Sequence, residues 1–300
     1  MSILVLGTVA LDTVATPQGK RVAMLGGSAV HFAMSGRLFT TVHLVAVVGK
    51  DFPSRYRALL ERKGLVLDSL LCADGATFHW EGEYRGDMNV AITKKTELGV
   101  LADFCPEITR EQCSIKNVFL ANVDPQIQLA LLRRMHAPRL VALDSMNYWI
   151  DTKRAALRKV LKEVSLYVAN DQEARSLSGE HNLIKAAKAL RAMGPKMVLI
   201  KKGEHGVMFY CDDFIVNLPA FPTERVTDPT GAGDTFAGGF MGSLSRASSI
   251  NVASIKKALV CGTLVASFNV EGFGSERTQV LTDAHVRERL AAFKKIAAFA

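Results

Sequence analysis

Residues 228–240 read DPTGAGDTFAGGF, and the residue types in this stretch govern how the rest of the chain is read. Gly231 and Gly233 flank Ala232, Asp234 follows, and an amphipathic run extends from Thr235 to about Arg246. Glycines let the backbone turn tightly and bring bare N–H groups together, and a helix starting there aims further N–H groups and its positive dipole end at the same spot. The result is an anion hole beside a carboxylate. Such a carboxylate can take the proton of an attacking hydroxyl while the hole holds the charge developing on a transferring phosphoryl group. The same residues also spell a plain glycine-rich turn in which Asp234 caps the helix, so the surrounding chain has to choose.

Outward from this run, short β-rich apolar stretches recur: ILVLG from Ile3, LVAVVG from Leu44, VFLANV from Val118, LVALD from Leu140, LYVAN from Leu166 and MVLIKKG from Met197. Helical patterns alternate with them, as in FPSRYRALLERKG from Phe52, QIQLALLRRM from Gln126 and NLIKAAKALRAMG from Asn182. That alternation predicts an α/β fold, a mostly parallel sheet with helices on both faces. Ligands of such sheets bind beyond the carboxyl ends of the strands, which here carry Asp144, Asn170 and Gly203. One stretch departs from the pattern. TFHWEGEY, from Thr77 to Tyr84, puts Phe78, Trp80, Gly82 and Tyr84 on one face and His79, Glu81 and Glu83 on the other, a period of two that predicts a half-buried antiparallel strand. With the segment after Asp12 it predicts a small β lid, with lid segments at about 12–24 and 74–98. No internal repeat or low-complexity linker divides the chain, so residues 1–300 are read as a single domain.

The 300 residues, 49% hydrophobic and 22% charged, suit a folded protein with a substantial core. A formal charge of +8 attracts anions, nucleotides as much as nucleic acids. Lysines and arginines are scattered, with no basic run interleaved with aromatics, so a nucleic-acid partner is not expected. The five cysteines, Cys72, Cys105, Cys113, Cys211 and Cys261, are odd in number and lack metal-knuckle or redox spacing, which fits inert thiols in a reducing compartment. The apolar N-terminus has no basic leader, and no apolar run approaches a membrane span. The expected location is cytoplasmic, with no membrane partner.

The phosphate loop GxxxxGK[ST], the dinucleotide glycine fingerprint and the protein-kinase triplets HRD and DFG are absent, so the usual nucleotide motifs do not account for the glycines. The chain does resemble the ribokinase-like, or PfkB-type, carbohydrate and nucleoside kinase family, and the resemblance covers nearly its whole length. DPTGAGDTFAGGF looks like that family's C-terminal signature. The resemblance implies a three-layer ribokinase-like fold, ATP and magnesium, Asp234 as catalytic base, and Gly231, Ala232 and Gly233 as the anion hole. Other elements match in order. Asp12 sits where the family places a carboxylate for substrate hydroxyls, and GGSAVHFA, with Gly26 and Gly27, is similar to its N-terminal glycine pair. NDQEA looks like its Asn-x-x-Glu element, Asn170 and Glu173 acting on magnesium-bound phosphates through water. KKGEHG resembles the turn beside the ATP phosphates, making Lys202, Gly203 and Gly206 nucleotide contacts, and Cys261, Val265 and Asn269 are candidates beside adenine, with helix-core packing the alternative for Cys261 and Val265. Read without the resemblance, NDQEA is a capped helix start and KKGEHG a hairpin turn.

Many family members hold potassium near the glycine loop. Asp228 and Thr230 would then be ligands, through the Asp228 carboxylate and carbonyls of Thr230 and of the loop near Gly272. Alternatively Asp228 closes a turn before Pro229. On the acceptor side, His31 stands where the family usually has Asn, as a substrate contact or a packed histidine, and Asp124 is either a substrate contact or a helix cap. LDSMNYWI, from Leu143, resembles the family's Asp-x-Asn-x-Arg stretch without its arginine, the natural partner of phosphate or carboxylate. The expected substrate is therefore a neutral sugar or nucleoside phosphorylated on a primary alcohol, with Phe78, Trp80, Tyr148 and Trp149 available to stack on it. A non-catalytic binding or regulatory protein on the same fold and a kinase of a vitamin precursor are the alternatives. The lid edge offers a surface for a homodimer.

Overall fold

In the computed structural model, which describes residues 1–297, the strands are β1 (Ser2–Leu6), β2 (Ala10–Thr16), β3 (Gly19–Gly26), β4 (Thr41–Gly49), β5 (Val66–Ala73), β6 (His79–Tyr84), β7 (Ala91–Glu97), β8 (Asn117–Leu120), β9 (Leu140–Asp144), β10 (Leu166–Asn170), β11 (Met197–Lys201), β12 (Val207–Tyr210) and β13 (Ile215–Leu218). The helices are α1 (Ser28–Gly36), α2 (Ser54–Arg62), α3 (Pro125–Leu132), α4 (Asn147–Thr152), α5 (Arg154–Glu163), α6 (Asp171–Ser178), α7 (Leu183–Arg191), α8 (Ala232–Ser245), α9 (Val252–Asn269), α10 (Glu276–Val280) and α11 (Asp283–Ala297). The main sheet has nine strands in the order β13-β12-β11-β10-β9-β8-β1-β4-β5. From β5 to β11 neighbouring strands run parallel, and only β12 is reversed, antiparallel to both β11 and β13.

Side-chain alternation along β1 explains why its sequence is apolar without a break. Ile3 and Val5 enter a core completed by Phe32 of α1, Phe240 of α8 and Leu259 of α9, whereas Leu4 and Leu6 enter a second core with Leu157 of α5, Leu177 of α6 and Leu190 of α7. A strand covered on both faces has no use for polar alternation. Each large aliphatic side chain so buried contributes about 1.5–3 kcal/mol. Helix α11 lies outside α9, with Val286 and Phe293 against Leu264, Val265 and Phe268.

The lid is a four-stranded sheet ordered β3-β2-β6-β7. Strand β6 is antiparallel to β7 but parallel to β2, which corrects the purely antiparallel reading. A period of two identifies a half-buried strand and carries no information on partner direction. Gly82 and Tyr84 face inward, and the Trp80 ring lies across Gly82, where a Cβ would be 2.0 Å from it. Every residue of β7 is exposed. The first lid hairpin leaves the body three residues after β1 and returns directly into α1, so both of its roots stand at the carboxyl end of β1. The five cysteines are free thiols, and no helix among the described residues is long and apolar enough to cross a membrane.

Candidate active site

Three neighbouring strands of the main sheet end in polar residues on one edge: Asp144 on β9, Asn170 on β10 and Lys201 on β11, the last two paired in register. Helix α8 starts above this edge. Its cap is Gly231 at φ +71°, a left-handed conformation, and a Cβ there would lie 2.2 Å from the His31 ring. Only glycine satisfies both demands. Asp234 is the third helical residue and not the cap, which leaves its carboxylate for other work. The Ala232 N–H donates to the Pro229 carbonyl at 3.1 Å, so that N–H is engaged in the turn.

The Lys201 ammonium donates to Asp144 Oδ2 at 2.7 Å and lies against the first turn of α8, 2.9 Å from where a Gly233 Cβ would be. Burial works to lower its pKa, but the carboxylates of Asp144, Glu173 and Asp234 outweigh burial and hold it up. Asp234 retains partial access to solvent. Burial, then the charge of Asp144, pushes its pKa up to about 7, with Lys201 opposing. Burial also pushes Asp12 up to about 7 against the Gly27 N–H, which donates to Asp12 Oδ2 at 3.2 Å, while Asp228 adds to the rise. Glu173 is raised by burial and then by Asp144. One ammonium among so many carboxylates leaves a negative field, and the donors are hard oxygens. That combination suits a magnesium ion that keeps its waters, and Glu173 and Asn170 are the residues that could hold it.

Asn170 and Glu173 close a reciprocal capping box on α6, with Asn170 N–H to Glu173 Oε2 and Glu173 N–H to Asn170 Oδ1 both 2.8 Å. The box holds the Glu173 carboxylate at the sheet edge, so the helix-start reading and the site reading describe the same residues. Asp12 lies on β2 with Gly26 beside it, where a Cβ would meet Asp12 Oδ2 at 1.9 Å. Gly203 and Gly206 shape the turn from β11 to β12.

Several expected positions fall elsewhere. Lys202 points away, donating to Asn217 Oδ1 at 3.0 Å on the exposed side, whereas Lys201 reaches Asp144 at the sheet edge. Strand register is the signal that identifies it: Lys201 is the last residue of β11, whereas Lys202 opens the turn. Val265 is fully buried against Gly239 of α8 and cannot face adenine. Cys261 is half-buried beside Ser243. Asn269 is fully buried, its amide donating to the Thr230 carbonyl at 2.8 Å and accepting from the Thr235 hydroxyl at 3.0 Å. Asp124 caps α3, accepting from the Gln126 N–H at 2.9 Å, and pairs with Lys153. His31 lies under Gly231 with Nδ1 3.3 Å from Asn269 Oδ1. Since that oxygen only accepts, Nδ1 carries the proton. Burial lowers the His31 pKa despite Asp228 and the Asn269 bond, which keeps the ring neutral.

Tyr84 is an addition from the lid. Its hydroxyl is 3.4 Å from Thr230 Oγ1, and burial pushes it up to about 12, so it remains a neutral phenol. Tyr148 is exposed and stacks edge-on with Trp149 at 4.8 Å, while Trp149 Nε1 donates to Asn122 Oδ1 at 2.8 Å.

The family model described as pfkB family carbohydrate kinase matches residues 12–280. A cytidine kinase of Thermococcus kodakarensis is 34% identical over 254 residues, covering 82% of this chain and 89% of that protein. A nucleoside kinase of Methanothermobacter thermautotrophicus is 28% identical, covering 84% and 80%. In fold, the crystal structure of Methanocaldococcus jannaschii nucleoside kinase matches with TM-score 0.76 at 21% identity over 97% of this chain and 98% of that one. A ribokinase from Thermotoga maritima matches with TM-score 0.76 at 19% identity, covering 97% and 99%.

Proposed function

The chain belongs to the pfkB family of carbohydrate kinases and is a phosphotransferase; on that premise we propose that it moves the γ-phosphoryl group of ATP to the primary hydroxyl of a nucleoside. The observation that carries the reading is the convergence at the start of α8, where Asp234, two glycine N–H groups and the Lys201 ammonium address one space. A nucleoside acceptor is supported by the cytidine and nucleoside kinases above, which this chain matches over most of their length. The missing arginine in LDSMNYWI argues the same way, because an anionic acceptor would lack its partner.

In this reading Asp12 and the Gly26–Gly27 turn hold acceptor hydroxyls under the lid. Asp234 accepts the proton of the primary hydroxyl, and the oxygen forms its bond to the γ-phosphorus. The bond from that phosphorus to the bridging oxygen breaks, and ADP leaves with the electron pair. Lys201 and the glycine N–H groups stabilise the charge on the moving phosphoryl oxygens. Gly203 and Gly206 let the backbone pass close to the nucleotide. When bound, magnesium would offset the charge of the ATP phosphates, and Glu173 and Asn170 would hold it. Dependence on ATP and five free thiols suit the cytoplasm, and the exposed β7 edge suits pairing of two lids, which light scattering would detect as a doubled mass.

The test is ADP release over cytidine, other nucleosides, ribose, fructose, ribose 5-phosphate and a vitamin alcohol. Nucleosides are expected to exceed sugars in kcat/KM by about a hundredfold or more, since a site built for buried hydrogen bonds rejects analogues that lack them. Comparable turnover of free sugars or of the sugar phosphate would overturn the acceptor assignment.

A further inference from the structure

The potassium ligands implied by the resemblance are already engaged by hydrogen-bond donors. The Thr230 carbonyl accepts from Asn269 Nδ2 at 2.8 Å. Each carboxylate oxygen of Asp228 accepts a backbone N–H, from Thr230 at 2.9 Å and from Gly274 at 2.8 Å. Three loop carbonyls before Gly272 accept donors as well: Val270 O accepts from Thr227 N at 2.7 Å, Glu271 O from the Thr227 hydroxyl at 3.2 Å, and Asn269 O from Gly272 N at 3.3 Å. The orientation of the Asn269 amide is fixed by the Thr230 carbonyl, which only accepts and so must face the NH2, and Oδ1 is left toward Thr235 Oγ1 and His31 Nδ1. A monovalent cation there would have to share the Asp228 and Thr230 oxygens with the donors already on them, using their remaining lone pairs.

We infer that the buried amide of Asn269, supported by His31, does the work of that cation: it pins the glycine loop from below and frees turnover from any need for potassium. Asn269 closes the end of α9, His31 belongs to α1 and Thr235 to α8, so one side chain ties three helices to the loop that carries the anion hole. His31 also fills the space under Gly231, which accounts for histidine at a position where the family usually has Asn. Both are positioning residues, and neither takes part in the bond exchange.

This inference rests on the kinase reading, and the experiment separates the two. ADP release and thermal unfolding are compared for the parent chain and Asn269→Asp in potassium, sodium and tetramethylammonium chloride at matched ionic strength. The parent is expected to turn over within about twofold, and to unfold within about 1 °C, across the three salts, because a cation that does not bind the fold cannot stabilise it. In Asn269→Asp a carboxylate oxygen meets the Thr230 carbonyl, and potassium is expected to restore about tenfold or more of the lost rate. A parent stimulated tenfold by potassium, or unfolding several degrees higher in it, overturns the inference. Absence of turnover in every salt would count against the kinase reading, and the unfolding comparison would still decide the cation question. If Asn269→Asp fails to fold, the parent comparison alone decides.

Discussion

Asp234 holds its proton at a pH where an ordinary aspartate has lost it, which makes two expectations. In the free enzyme kcat/KM should rise with pH through about 7, since only the ionised form can take the acceptor's proton. The same elevation costs stability: against an unfolded value of 3.8 the cost is absent below it, grows as the pH rises and is complete above about 7. Asp234→Asn should therefore lose about a thousandfold or more in kcat while unfolding at a higher temperature at pH 8, with the thermal gain shrinking toward pH 4. A gain that is equal at both pH values would show burial of the charge to be irrelevant. The two lysines are separated by a second comparison. Lys201→Met should lower kcat by about a hundredfold, because it removes charge beside the phosphoryl path and leaves Asp144 unpaired. Lys202→Met, at the exposed bond to Asn217, should stay within about twofold of the parent. The motif KKGEHG alone does not distinguish them. Pairing of Asn170 with Lys201 does, and that register is set by the neighbouring strand.

At the level of elements, what the chain reveals locally and what it leaves to packing are easily told apart. The apolar strands and the helices after Phe52, Gln126 and Asn182 appear where the patterns put them, because a two-sided sheet writes continuous apolar runs and helices write a period near 3.6. The direction of β6 relative to β2 leaves no such mark. Nor does the inward turn of Val265 and Asn269: in α9 a mostly apolar helix packs on α8 on one side and α11 on the other, so hydrophobicity does not say which face is free for a ligand. Asp124 shows the opposite case, where the cap reading of a turn residue accounts for its bond to Gln126. The α8 start makes the sharpest test at this scale. Gly231→Ala places a Cβ at φ +71° and into the His31 ring, so it should lower stability by about 1–3 kcal/mol and kcat by more than Ala substitution at the distant αL cap Gly179, which has open space around it. Equal losses of kcat at both glycines would remove the claim that this turn shapes the phosphate side.

The whole molecule sets a positive exterior against an acidic site. The formal charge of +8 draws ATP in from a distance, whereas Asp12, Asp144, Glu173 and Asp234 repel it at close range until magnesium and Lys201 compensate. Steering from afar is screened by salt and local pairing much less so. Raising ionic strength should therefore lower kcat/KM for ATP by about three- to tenfold with little change in kcat, and a flat response would place the attraction in the site itself. Both roots of the first lid hairpin stand beside β1, and Tyr84 reaches from the lid to Thr230, so the lid, Asp12 and the glycine loop form one connected assembly.

The chain has two tryptophans, and the fold gives one to each side of that assembly. Trp80 lies flat on Gly82 within the lid, with Nε1 donating to Thr93 Oγ1 at 3.2 Å, and Trp149 is held to Asn122 on the body. The molecule thus carries a native optical gauge. In Trp149→Phe the remaining indole fluorescence belongs to the lid alone, so a change in it on adding nucleotide or acceptor reports on the lid and not on the body.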